Sequence, residues 1–152
     1  MDSPAILFKN PEKLLLTLDE YRASIKEVEA ILTFQGKTLQ QIDREQVAWP
    51  FYYEQKRIEL ETLLKFAKMQ EDKIRSTLAR KYKENYSFDL GDRLRDSYID
   101  SEPSYLAIHE LVIEIEHVVN LYKSVCDCFQ TRGYTLRNMT EHFVNNIQDR
   151  VI

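Results

Sequence analysis

The chain has 152 residues, with 21 Lys and Arg against 25 Asp and Glu for a formal net charge of −4, and only 3 Gly and 4 Pro. That length supports one domain, or one domain with an arm, with room for a real core. The glycines stand alone at Gly36, Gly91 and Gly133, which excludes the glycine-rich phosphate cradles of P-loop and dinucleotide enzymes, and no run of about eighteen apolar residues offers a membrane span.

Leu, Ile, Glu, Lys, Arg and Gln dominate the interior runs, so an all-α fold is predicted. The residues Asp2, Pro4, Lys9 and Glu12 around a short apolar run lack the order of a secretory signal. The expected location is the cytoplasm, that of the host cell if a phage encodes the chain.

Asn10 and Pro11 predict a helix start, and Leu14, Leu18, Tyr21, Ile25, Val28 and Leu32 recur at three and four, so one packing helix is expected from Pro11 to Phe34, ahead of Gly36. The stretch from Lys37 to Ala48 is ambiguous, with helical spacing from Leu39 to Val47. Pro50 predicts a fresh start, because it disfavours helix at Trp49 and suits a first turn. From there to Tyr86 no breaker occurs, giving a helix about 50 Å long. Such a length suggests contact with another chain.

Seven basic residues face two acidic ones between Lys65 and Lys83. Wheeled at about 100° per residue, Lys65, Lys68, Lys73, Arg75, Arg80 and Lys83 fall on one side, and Leu60, Leu64, Ala67, Ile74, Leu78 and Tyr82 on the other. One face can pack while the other neutralises phosphates and releases their counterions. The alternative reading of such a face is a solvated one. Tyr82 and Tyr86 end the helix where they could stack bases or pack a helix end, and Trp49, Phe51, Tyr52 and Tyr53 form an aromatic knot read as core.

The segment Glu84 to Asp127 carries ten acidic and three basic residues, so a negative region follows the positive helix, able to dock a basic partner or to screen the basic face. Within it a short helix is predicted from Asp92 to Tyr98. From Pro103 to Phe129 apolar residues spread over more than half of a helix circumference, which predicts burial on several sides. Gly133 is read as its C-terminal cap, followed by a last helix from Tyr134 to Asp149 with Leu136, Met139, Phe143 and Ile147 as its stripe.

Glu110, Glu114 and His117 have one-face spacing and end in Glu-x-x-His. A di-iron bundle needs a second such motif and two more glutamates, which the sequence lacks, so no metal or other cofactor is expected. His109, His117 and His142 have no nucleophile turn beside them, and no catalysis is expected. Cys126 and Cys128, two apart on a helix, point roughly 160° from one another and do not bridge.

The run Thr131-Arg132-Gly133-Tyr134-Thr135-Leu136-Arg137-Asn138, with Phe143 beyond it, resembles the C-terminal signature of the tailed-phage recombination mediator proteins, the UvsY-like family. There an apolar helix ends in Ser or Asn, Arg, Gly or Asn and an aromatic residue before a final helix. The upstream order is similar too: a basic helix ending in Leu78-Ala79-Arg80-Lys81-Tyr82, an acidic connector with Tyr98-Ile99-Asp100, then the apolar helix Leu106 to Phe129. The resemblance covers roughly Trp49 to Ile147. The N-terminal helix has no counterpart in that pattern, and the tyrosine pair is split into Tyr82 and Tyr86.

The resemblance implies a non-catalytic, ring-like homo-oligomer that binds single-stranded DNA and helps a RecA-like recombinase displace single-strand-binding protein. By position it assigns DNA contact to Lys73, Arg75, Arg80, Lys81 and Lys83, secondary DNA or partner contact to Arg132 and Arg137, and oligomerisation to the apolar residues of the last helix. The expected architecture is an elongated helical bundle with one long basic helix and an apolar C-terminal helical pair, preceded by an arm at 1–48 and assembled as a homo-oligomer. Two rival expectations are a helical adaptor or scaffold of a phage assembly and a metal-dependent oxidoreductase bundle.

Overall fold

Asn10 and Pro11 start a helix as their chemistry dictates. In the computed structural model, which describes residues 2–85 and 91–148, a short α1 (Pro4–Leu7) leads into α2 (Pro11–Ile25), and the Asn10 side chain accepts the Lys13 amide at 3.2 Å as an N-cap. The helix expected to reach Phe34 is broken after Ile25, and α3 (Val28–Leu32) follows. The Ser24 carbonyl, which an unbroken helix would present to Val28, accepts the Tyr53 hydroxyl at 3.4 Å instead. Gly36, at φ +74°, then turns the chain.

Two capping devices fix this turn. Lys37 Nζ donates to the Ala30 and Ile31 carbonyls at 3.1 and 3.0 Å, closing the end of α3. Thr38 and Gln41 form a reciprocal capping box: the Gln41 amide donates to Thr38 Oγ1 at 3.3 Å and the Thr38 amide to Gln41 Oε1 at 2.9 Å. From this cap α4 runs unbroken over Leu39–Asn85, so the fresh start expected at Pro50 does not occur. Proline inside a helix costs about 3 kcal/mol or more through its missing amide and its clash one turn back. Ile42 and Tyr53, buried on either side of Pro50, hold the helix through it.

Beyond α5 (Asp92–Ser101), the last element α6 spans Pro103–Gln148 without interruption. The expected pair of C-terminal helices is therefore one helix. Gly133 is not its cap; a Cβ there would lie 2.9 Å from Gln46 Nε2, and that nitrogen donates to the Phe129 carbonyl at 2.9 Å. The glycine admits a close approach within a continuing helix.

The long helices each contribute to two compact units, Met1–Leu18 with Glu59–Val119 and Asp19–Ile58 with Asn120–Ile152. In the first unit α4 and α6 run antiparallel, as the pairs Lys68–Glu116, Glu71–His109 and Arg75–Tyr105 require. Leu60, Leu63 and Ala67 of α4 and Ile115 and Val118 of α6 are fully buried there, with Leu14 and Leu18 of α2, and Phe8 packs on Phe66 at 5.1 Å between centroids. These are positions recurring at three, four and seven on each helix.

The second unit is centred on aromatic rings. Tyr53 lies 6.0 Å from Tyr122 and stacks on Phe129 at 5.5 Å, and the Tyr122 hydroxyl donates to the Tyr21 carbonyl at 3.0 Å. The knot expected at residues 49–53 is thus only partly core: Tyr53 is buried, whereas Phe51 is exposed.

Cys126 and Cys128 are both free thiols in this unit, the second of them exposed. Burial, and next a hydrogen bond with Glu54, push the Cys126 thiol up to about 11. Because the thiolate is the nucleophile, iodoacetamide at pH 8 is expected to modify Cys128 while sparing Cys126, whose labelling rises only as the pH nears that value. Tandem mass spectrometry distinguishes the two sites, and equal labelling at pH 8 would contradict the burial of Cys126.

Candidate nucleic-acid interface

The C-terminal half of α4 lies in the first unit, held by Leu60, Leu63, Ala67 and Leu78 on its buried side. That anchoring leaves the opposite side to solvent, and the basic residues there fall into two sets. Lys65, Lys73, Arg80 and Lys83 are exposed, and none makes an ion pair with a described residue. At 100° per residue they share a strip roughly 80° wide, and from first to last they span about 27 Å.

The second set is engaged by acidic neighbours. Lys68 pairs with Glu116 at 3.0 Å. Arg75 faces Asp96 at 3.7 Å and Asp100 at 3.4 Å, both on α5, while it donates to the Tyr105 hydroxyl at 3.1 Å and lies over the Tyr105 ring at 5.5 Å. Tyr105 in turn stacks on His109, which contacts Glu71 at 2.6 Å. Lys81 reaches Glu102 at 3.3 Å.

Tyr82, expected as a stacking platform, donates its hydroxyl to Glu102 and stacks on Tyr98 with ring centroids 5.9 Å apart and planes 24° from parallel. Hydrogen bonds from Tyr82 and then Lys81 hold the Glu102 carboxyl below its ordinary value. Underneath, Ile99 of α5 inserts beside Leu78 and Tyr105 in a small apolar cluster that Ile74, Ala79 and Tyr82 border. The acidic connector therefore lies against the basic helix. Tyr86 falls outside the described residues, as does the side chain of Ile147.

Arg132 is a correction to the expected contacts. Its side chain is 3% exposed and pairs with Glu45 at 2.8 Å, donating also to Gln46 Oε1 and the Leu32 carbonyl at 2.9 and 3.2 Å. Its three hydrogen bonds are all directed into the second unit, and its enclosed side chain is not placed to reach a strand. Arg137 is exposed on α6. Of the residues assigned to oligomerisation, Leu136 is buried within its own unit, whereas Met139 and Phe143 are 50% and 65% exposed and Tyr134 and Val144 also face solvent.

Comparison with known protein families, with curated proteins and with solved structures finds no match for this chain. Glu110, Glu114 and His117 are exposed on α6, and among the described residues no three His, Cys, Asp or Glu side chains are grouped so as to hold a metal ion. No helix among the described residues is long and apolar enough to cross a membrane.

Sequence reasoning did not name Asp96, Tyr98, Asp100 or Glu102 as members of the site. The signal available for them was charge order, an acidic run directly after a basic one. Which cations that run would meet depends on the angle at which α5 folds back, and that angle is set by Ile99 finding Leu78 and Tyr105.

Proposed function

We propose that the protein is a non-catalytic, single-stranded-DNA-binding recombination mediator, acting as a homo-oligomer that helps a RecA-like recombinase onto DNA coated by single-strand-binding protein. The observation that carries the DNA-binding part is the exposed strip of Lys65, Lys73, Arg80 and Lys83 on one side of α4. Four cations along about 27 Å suit a flexible polyanion, and their side chains carry no arrangement that reads base edges in a groove. Binding should be sequence-tolerant, with Arg137 as a secondary contact.

The mediator part rests on the resemblance of the tail and of the order of elements before it. Exposed Met139 and Phe143 support an assembly seam, and a ring of such protomers would raise the effective concentration of a modest site. An acidic protein gains most from that, because each protomer binds weakly.

The test is the single-strand-dependent ATPase of a RecA-like recombinase on DNA saturated with single-strand-binding protein. Added protein is expected to shorten the lag several-fold, and chain carrying Lys73→Glu and Arg80→Glu is expected to leave it long. Folded, assembled protein that leaves the lag unchanged would remove the mediator reading in favour of a helical adaptor.

A further inference from the structure

In the first unit, the cations of α4 that sequence alone assigns to DNA are not equally available. Lys65, Lys73, Arg80 and Lys83 face solvent, while Arg75 and Lys81 face carboxylates at 3.3 to 3.7 Å. Tyr82, the one described aromatic side chain assigned to base stacking, already has a ring against it in Tyr98. The α5 segment thus supplies carboxylates where a strand would bring phosphates, and an aromatic face where it would bring a base.

We propose that α5 is an autoinhibitory strap: Asp96, Asp100 and Glu102 occupy Arg75, Lys81 and Tyr82 in the free protein and are exchanged for the phosphates and a base of a bound single strand. This rests on the single-strand reading above and adds regulation to the same site.

Three features suit α5 to exchange. Its two ion pairs with Arg75 are solvent-exposed, with Arg75 41% and Asp96 and Asp100 about half exposed, and pairs of that kind contribute little to stability and are screened by salt; Glu102, held by Lys81 and Tyr82, is 22% exposed. One side chain of α5, Ile99, is buried. Glu102, at the helix end, is extended at φ −68° and ψ 128°, so the hydrogen-bond ladder of α5 does not continue into α6. Arg75, by contrast, keeps its hydrogen bond and ring contact with Tyr105 of α6, which would hold it in place when α5 leaves.

The competition is between like groups. A carboxylate and a phosphate both accept from guanidinium and ammonium, so the strap sets a threshold that a short or isolated anion does not overcome. A strand running along the exposed strip delivers further phosphates at high local concentration. Contact would therefore begin on Lys65, Lys73, Arg80 and Lys83 and extend to Arg75 and Lys81.

The experiment is a double-mutant cycle on the full chain, read by fluorescence anisotropy of labelled oligo-dT across 50 to 200 mM salt. One arm carries Asp96→Asn, Asp100→Asn and Glu102→Gln, the second Arg75→Ala and Lys81→Ala, the third both sets. Because wild type must break these pairs before the same two cations meet phosphate, neutralising the strap should raise affinity several-fold at 50 mM salt, with a smaller gain at 200 mM, where salt screens the pairs. Loss of Arg75 and Lys81 should cost several-fold more affinity in the neutralised chain than in wild type.

A charge-matched control, Glu12→Gln, Glu110→Gln and Glu114→Gln, should gain less than twofold. Equal gain in this control, or additive effects across the cycle, would overturn the strap while leaving the DNA site standing. No binding by any variant, with helicity intact by circular dichroism, would overturn the DNA site and the strap together. Binding by the neutralised chain but not by wild type would support both.

Discussion

Replacing Arg132 with Leu is expected to destabilise the protein by about 3 to 5 kcal/mol, which for a chain of this size lowers the melting temperature by about 10 °C. The guanidinium is 3% exposed and its charge is met by Glu45 at 2.8 Å. Its fork also reaches Gln46 Oε1 at 2.9 Å and the Leu32 carbonyl at 3.2 Å, and its plane lies over the Phe34 ring at 5.1 Å. Leu restores the apolar volume but leaves three acceptors without their donor. The ion pair between Glu45 and Lys37 at 2.8 Å compensates the carboxylate, which places the effect near the lower end of the range. Arg132→Lys should cost roughly half as much, because an ammonium keeps the charge and loses the planar fork. Urea unfolding measures both, and a loss below about 1 kcal/mol for the Leu variant would mean that the network contributes no net stability. At temperatures where the variant is folded its affinity for single strands should match wild type, since the side chain is enclosed.

Arg132 also marks the limit of what the sequence made legible. An arginine next to a glycine in a tail that resembles a mediator-family signature looks like a surface contact, and its enclosure depends on Leu32, Glu45 and Gln46, 86 to 100 residues away in the chain. The same distance dependence explains the misplaced breaks. Gly133 carries the local mark of a helix end, but the reason for a missing side chain is Gln46 Nε2, 2.9 Å from where a Cβ would stand. Pro50 opposes helix locally, and burial of Ile42 and Tyr53 around it overrides that preference. In the other direction, no breaker residue marks the interruption after Ile25, where the Ser24 carbonyl accepts the Tyr53 hydroxyl at 3.4 Å.

Periodicity located most of the core, though not at the end of α6, where Met139 and Phe143 of the expected stripe are exposed. Of the first stripe Leu14, Leu18, Tyr21 and Val28 are buried and Ile25 and Leu32 half-buried, close to what their spacing at three and four predicts; on the most apolar helix Ile108, Val112, Ile115, Val119 and Tyr122 are buried, whereas Leu106 is exposed. At the candidate site, periodicity separated the basic side of α4 from the packed side. It could not divide the cations into exposed and engaged ones, because that division comes from α5 and from Tyr105 and Glu116 of α6.

Reversing the exposed set with Lys65→Glu, Lys73→Glu, Arg80→Glu and Lys83→Glu is expected to lower oligo-dT affinity by at least about fifty-fold at low salt and to flatten its salt dependence. Each cation that meets a phosphate on a single strand contributes about −0.7 to the slope of log affinity against log salt, so four contribute about −2.8, which is roughly a fifty-fold change between 50 and 200 mM. Reversal removes that term and adds repulsion of similar range. The helix should survive it. The four positions are exposed, Lys, Arg and Glu have similar helix propensities, and the unfavourable placements, an acid at position 83 in the last turn of α4 and the like-charge spacings 61/65, 80/83 and 80/84, cost a few tenths of a kcal/mol each. Circular dichroism and a melting temperature within about 3 °C of wild type would show that the fold is retained. A folded variant that keeps wild-type affinity and slope would take DNA binding away from this strip, and with it the observation on which the mediator reading stands. Arg137→Glu alone should move the slope by no more than about 0.7, because it offers a single isolated cation; a larger change would shift the main contact from α4 to the end of α6.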